Sequence, residues 1–144
     1  MSLPSAPHLV FRLEGVVMRE AHGAPCFTPG MEVLLSELSG DFTQWLFCED
    51  PWEEDTALAS ENLRLDRLIP RDRWLFSSGR FRADLPKELI IELVRRTGGR
   101  REDLLWIDDR PAVTAAVLRA GMNAVIFVDA FRLRRNLVLR GLVK

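Results

Sequence analysis

The sequence has only two cysteines, Cys26 and Cys48, and no apolar run near the about 20 residues that cross a bilayer. Two cysteines are too few for a disulfide framework. No basic stretch followed by an apolar segment opens the chain, so no secretory leader is expected, and the expected compartment is the cytoplasm. Zinc-type Cys/His spacing, a P-loop and nucleic-acid-binding motifs are all missing. So are internal repeats, low-complexity tracts and linkers. What remains is a chain of 144 residues, 47% hydrophobic and 28% charged, the composition of a globular domain. Its length fits one domain, residues 1–144.

Charge is balanced overall but not along the chain. Six of the 20 basic residues and 13 of the 21 acidic ones precede Arg80. The remaining 14 basic and 8 acidic residues lie from Arg80 onward. A basic half can serve a polyanion. Without an accompanying motif, neither nucleic acid nor membrane is an expected partner.

The hydrophobic pattern alternates strand and helix. His8–Leu13 reads as a buried strand. Val16–Phe27 reads as a hairpin turning at His22-Gly23. Thr28-Pro29 predicts a helix start, with Val33, Leu34, Leu35 and Leu38 on its apolar stripe and an end near Gly40. Phe42–Cys48 is the second sheet strand, followed by an acidic loop, Glu49–Asp55, and a weak helix, Thr56–Leu65. Trp74–Ser77 is the third. A helix starts at Asp84 or Leu85, turns Leu89, Ile90, Leu93 and Val94 inward and stops at Gly98-Gly99. Leu104–Ile107 is the fourth strand. Pro111 opens a helix with Val113, Ala116, Val117 and Ala120 inward, stopped by Gly121. Ala124–Val128 is the fifth strand, and Ala130–Leu139 the last helix.

Five strands separated by helices predict an α/β fold: a Rossmann-like three-layer sandwich with a parallel five-stranded sheet, helices on both faces and a small flap hairpin. Such sheets bind ligands at the carboxyl ends of their strands. The residues there are Arg12 and Glu14, Cys48 and Glu49, Ser77 and Ser78, and Asp108 and Asp109. Strand alternation places Arg12 and Glu14 on one side. Converging carboxylates suit a divalent cation with oxygen ligands. Asp108 and Asp109 also suit the plainer role of capping the helix that Pro111 opens.

Taken in order, these segments resemble the haloacid dehalogenase (HAD) superfamily over nearly the whole chain. Phe11-Arg12-Leu13-Glu14-Gly15-Val16-Val17 is similar to its first motif, Phe-Asp-Leu-Asp-Gly-Val-Leu. Leu46-Phe47-Cys48-Glu49 stands where the family has apolar residues and then Ser or Thr. Leu104-Leu105-Trp106-Ile107-Asp108-Asp109-Arg110-Pro111 resembles its last motif, and Ala120-Gly121-Met122-Asn123-Ala124 the Gly-Met stretch beyond it. The resemblance implies the strand order 5-4-1-2-3, counted over sheet strands alone. It also implies a magnesium-dependent phosphohydrolase, with an Asp nucleophile, a second Asp as acid–base, and a Lys and a hydroxyl holding phosphate.

Against that pattern this chain departs at most chemical positions. Arg12 stands in the nucleophile's place, and a guanidinium stays protonated and cannot attack phosphorus. Glu14 keeps the second carboxylate. Cys48 replaces the hydroxyl, and Glu49 adds negative charge beside a phosphate. Lys87 is the nearest candidate for the motif lysine, with Arg82 as a rival. Asp108 and Asp109 survive intact. The expected site is therefore vestigial: Glu14, Asp108 and Asp109 in the catalytic places; Arg12, Cys48, Glu49 and Lys87 around a ligand; and Arg12 neutralising the carboxylates in place of a metal. No cofactor is expected, with magnesium held by Asp108 and Glu14 if the chain is active. The hairpin is too short for a cap domain, which suggests a protein or other macromolecular partner, or a second copy of the chain. Two further readings stay open. One is a working magnesium-dependent hydrolase in which Glu14, or less readily Cys48, replaces the nucleophile. The other is an unrelated doubly wound fold such as a receiver-like domain.

Overall fold

In the computed structural model, which describes residues 8–48, 63–76, 85–98 and 100–143, the five apolar runs form one parallel sheet. Its strands are β1 (His8–Arg12), β4 (Thr43–Cys48), β5 (Trp74–Phe76), β6 (Leu104–Asp108) and β7 (Asn123–Ile126). They lie in the order β5-β4-β1-β6-β7, so the first strand is central and the chain reverses direction beside it. With the hairpin strands left out of the count, this is the expected 5-4-1-2-3. The hairpin itself pairs β2 (Met18–Ala21) with β3 (Ala24–Phe27) through a two-residue turn at His22-Gly23. Among the described residues, no helix is long and apolar enough to cross a membrane.

Near-continuous apolar strands are the mark of a sheet covered on both faces. Alternation along β1 sends Leu9 and Phe11 one way and Val10 the other. Leu9 and Phe11 join Leu46, Ile107 and Val125 under α1 (Met31–Leu38) and α4 (Ala130–Leu139), which supply Leu34, Leu35, Leu133 and Leu137. Val10 joins Trp45, Phe47, Leu75 and Trp106 under α2 (Leu85–Thr97) and α3 (Pro111–Arg119), which supply Ile90, Leu93, Val113 and Val117. Full burial of each such side chain is worth about 1.5–3 kcal/mol. These two clusters hold the strand ends in place.

Several boundaries differ from the sequence reading, most of them by one residue. The first helix begins at Met31, not at Thr28-Pro29. Met31 N–H donates to the Thr28 carbonyl at 2.9 Å, and Gly30 has φ +80°. This is a type II turn with Pro at its second position and Gly at its third, a use of Pro that competes with helix initiation. The last strand stops at Ile126, although Phe127 N–H still donates to the Asp108 carbonyl at 2.7 Å. The chain leaves β1 at Arg12. Glu49–Asp55, Ser77 and Ser78 lie outside the described residues, as does Thr56–Leu65 up to residue 62; its last residue, Leu65, opens a 3-10 turn.

Candidate functional site

Parallel pairing brings the carboxyl ends of β1 and β6 side by side, with Phe11 opposite Ile107. The next residues on each strand are Arg12 and Asp108. Register alone would pair those two. The structure instead gives each of Asp108 and Asp109 its own arginine.

Asp108 is fully buried at the end of β6. Its Oδ1 accepts the Arg110 backbone N–H at 2.9 Å and Arg110 Nε at 3.0 Å. Its Oδ2 accepts Arg110 Nη2 at 2.9 Å and Trp106 Nε1 at 3.1 Å. The guanidinium thus takes the carboxylate with both prongs, the strongest geometry open to this pair. Burial alone pushes the Asp108 carboxyl up; the Arg110 hydrogen bonds, its charge and the Trp106 N–H outweigh that and hold it below the ordinary value.

Arg12 reaches past Asp108. Its Nη1 donates to Asp109 Oδ1 at 3.0 Å and to the Glu14 carbonyl oxygen at 2.6 Å. Its side chain is 16% exposed and that of Asp109 34%. The link to Glu14 runs through the backbone because β1 has already ended. Gly15 N–H donates to the Met18 carbonyl and Met18 N–H to the Leu13 carbonyl, both at 2.9 Å, so residues 13–17 form a turn that leads from β1 into β2. Leu13 stays buried in the cluster of Leu9 and Phe11, while Glu14 is exposed and its backbone bridges Met18. Gly15, with φ +86°, sits against this pair. A Cβ there would lie 2.9 Å from Asp109 Cγ and 3.1 Å from Arg12 Nη1.

The other sequence candidates fall elsewhere. Cys48 is buried among Phe11 and Leu46, in the cluster under α1 and α4, on the face of the sheet opposite Val10 and Phe47. Lys87 lines a groove of about 240 Å³ with Ile90, Ile91, Arg101, Arg119 and Ala120, beside the last turn of α3, while Asp109 precedes its first. Glu49 and Arg82 lie outside the described residues. Two participants escaped the sequence reading. Arg110 passes for a residue that merely precedes a helix, and Trp106 for a core residue; the available signal was Asp-x-Arg spacing at a strand end.

A divalent cation needs several oxygens with open lone pairs. Here both Asp108 oxygens accept donors, and Asp109 holds a guanidinium. Among the described residues, no group of three Asp, Glu, His or Cys is placed to hold a metal. As arranged, these side chains do not fit magnesium.

The Arg12–Asp109 pair gives a first prediction. A buried pair broken by removing one partner costs about 3–5 kcal/mol, an exposed one about 0–1. With Asp109 a third exposed, Arg12→Ala should cost about 1–2 kcal/mol by urea denaturation. An unchanged midpoint would mean that the pair contributes nothing to the fold.

No protein-family model matches the sequence, and no curated protein matches it. Solved structures do match. A hydrolase from Streptococcus pneumoniae is 14% identical, with a TM-score of 0.74, over 93% of this chain and 99% of that one. A predicted HAD-like family hydrolase from Porphyromonas gingivalis is 15% identical, with a TM-score of 0.68, over 94% and 98%. A HAD family enzyme from Bacteroides thetaiotaomicron, solved with magnesium and inorganic phosphate, is 9% identical, with a TM-score of 0.68, over 86% and 95%.

Proposed function

We propose that this chain, a protein of the haloacid dehalogenase-like fold, does not transfer phosphoryl groups at its strand ends and acts instead in binding or regulation. The observation that carries this reading is the Arg12 guanidinium, 3.0 Å from Asp109 at the end of the central strand. That is where a HAD-type reaction needs a carboxylate nucleophile. Arginine offers no lone pair for attack at any ordinary pH. Its charge is directed at Asp109 rather than left for a phosphate. Glu14 retains a carboxylate two residues on, but an acid–base group without a nucleophile supports no HAD-type turnover.

The partner this suggests is a protein or another macromolecule, since only a short hairpin stands between β1 and α1 to shape a small-molecule pocket. Neither Cys26 nor Cys48 forms a disulfide, in keeping with a reducing, cytoplasmic setting.

The test is hydrolysis of a generic aryl phosphate with magnesium in excess. The expected result is turnover no faster than buffer. Chelator-sensitive turnover by the wild-type protein, lost in Glu14→Gln, would overturn the reading and assign a magnesium-dependent hydrolase working through Glu14.

A further inference from the structure

We infer that the strand-end site is closed to divalent cations by two arginines acting separately, so that restoring the nucleophile position alone does not reopen it. The inference rests on the reading above and goes beyond it, because it turns on Arg110 rather than Arg12.

Arg12 and Arg110 approach different carboxylates from different elements. Arg12 comes from the end of β1 and takes Asp109; Arg110 comes from the entry to α3 and takes Asp108. They are unequal. The Asp109 contact uses one guanidinium nitrogen, and that carboxylate is a third exposed. The Asp108 contact uses Nε, Nη2 and the backbone N–H, on a carboxylate with no exposure, while Trp106 Nε1 holds the remaining side. A cation entering at Asp108 must therefore displace charge-assisted, two-pronged hydrogen bonds inside the protein. Replacing Arg12 by a carboxylate leaves every one of those bonds in place. It supplies a new ligand and frees Asp109, but the buried ligand stays shut. Replacing Arg110 alone opens Asp108 and leaves the Arg12 charge at the same site, where it repels a dication. The two changes should thus be strongly non-additive for cation binding.

The experiment is a Mn²⁺ titration, with free Mn²⁺ read by electron paramagnetic resonance, on wild type, Arg12→Asp, Arg110→Gln and the double variant. Circular dichroism checks that each is folded. Gln keeps a donor near Asp108 without the charge. The double variant should bind Mn²⁺ at least ~10-fold more tightly than either single variant, and wild type more weakly than all three. The inference fails if Arg12→Asp alone binds as tightly as the double variant. It fails equally if wild type binds tightly, or if the folded double variant binds no better than wild type. Should the double variant not fold, Arg12→Asp/Arg110→Lys replaces it, since an ammonium meets Asp108 at a single point. Arg12→Asp decides alone if neither double variant folds. The outcomes separate from those of the phosphatase assay. Turnover by wild type overturns the proposed function, whereas Mn²⁺ binding by Arg12→Asp as tight as the double variant's, without wild-type turnover, overturns only the second lock.

Discussion

Arg110→Ala should cost about 3–5 kcal/mol at neutral pH, the range for stranding a buried charge without its partner. The reason lies in Asp108, which has no solvent exposure and takes three of its four hydrogen bonds from Arg110. The Ala variant keeps the backbone N–H and the Trp106 donor but loses the countercharge. A diagnostic pH dependence follows. In the wild type, the Asp108 carboxyl sits below its ordinary value of 3.8. A carboxyl lowered on folding contributes stability that is complete above that value and is lost as pH falls through the folded one. In the variant, burial prevails and raises the folded value. A raised carboxyl works the other way: its contribution is complete below 3.8 and is lost as pH rises. The gap between the two proteins should therefore be wide at pH 7 and narrow toward pH 3. Urea melts across that window, followed by Trp fluorescence, measure it directly. A gap independent of pH would show that Arg110 contributes packing and not countercharge.

The same residues show what the sequence could and could not reveal. The parallel sheet and both helical layers were legible because periodicity reports burial: β1 and β6 are apolar on both faces, and only a doubly covered sheet requires that; the strand order came with the resemblance of the motifs. The strand-end rule then pointed to Arg12, Asp108 and Asp109. It could not say which carboxylate Arg12 takes. That choice depends on a guanidinium folding back two residues from Arg110, and spacing in the chain carries no such rotamer. Nor could it show the turn after Arg12, which is closed by main-chain bonds that many sequences could make. Pro29 misled because Pro suits both the first helical position and the second position of a turn; Gly30, at φ +80°, decides between them. Lys87 carried the right charge, but its helix puts it in a groove with Arg101 and Arg119.

Gly15→Ala should cost about 2–3 kcal/mol, more than removing Arg12 itself. Two effects combine. At φ +86° an L side chain meets its own backbone, which costs about 1–2 kcal/mol. In addition, the new Cβ falls 2.9 Å from Asp109 Cγ, inside any tolerable contact. The carboxylate must swing away and give up Arg12, or the turn at residues 13–17 must move and carry the flap hairpin with it. Only the first response depends on Asp109, and a double-mutant cycle isolates it. In an Asp109→Ala background the collision with the carboxylate disappears, the ion pair is already gone, and the Arg12 side chain that remains at 3.1 Å, no longer held by Asp109, can shift. There Gly15→Ala should cost no more than the backbone strain, about 1–2 kcal/mol. An equal cost in both backgrounds would mean that the turn yields and the pair survives. A smaller cost beside Asp109→Ala would show that this glycine is needed because an arginine and an aspartate meet where its side chain would be.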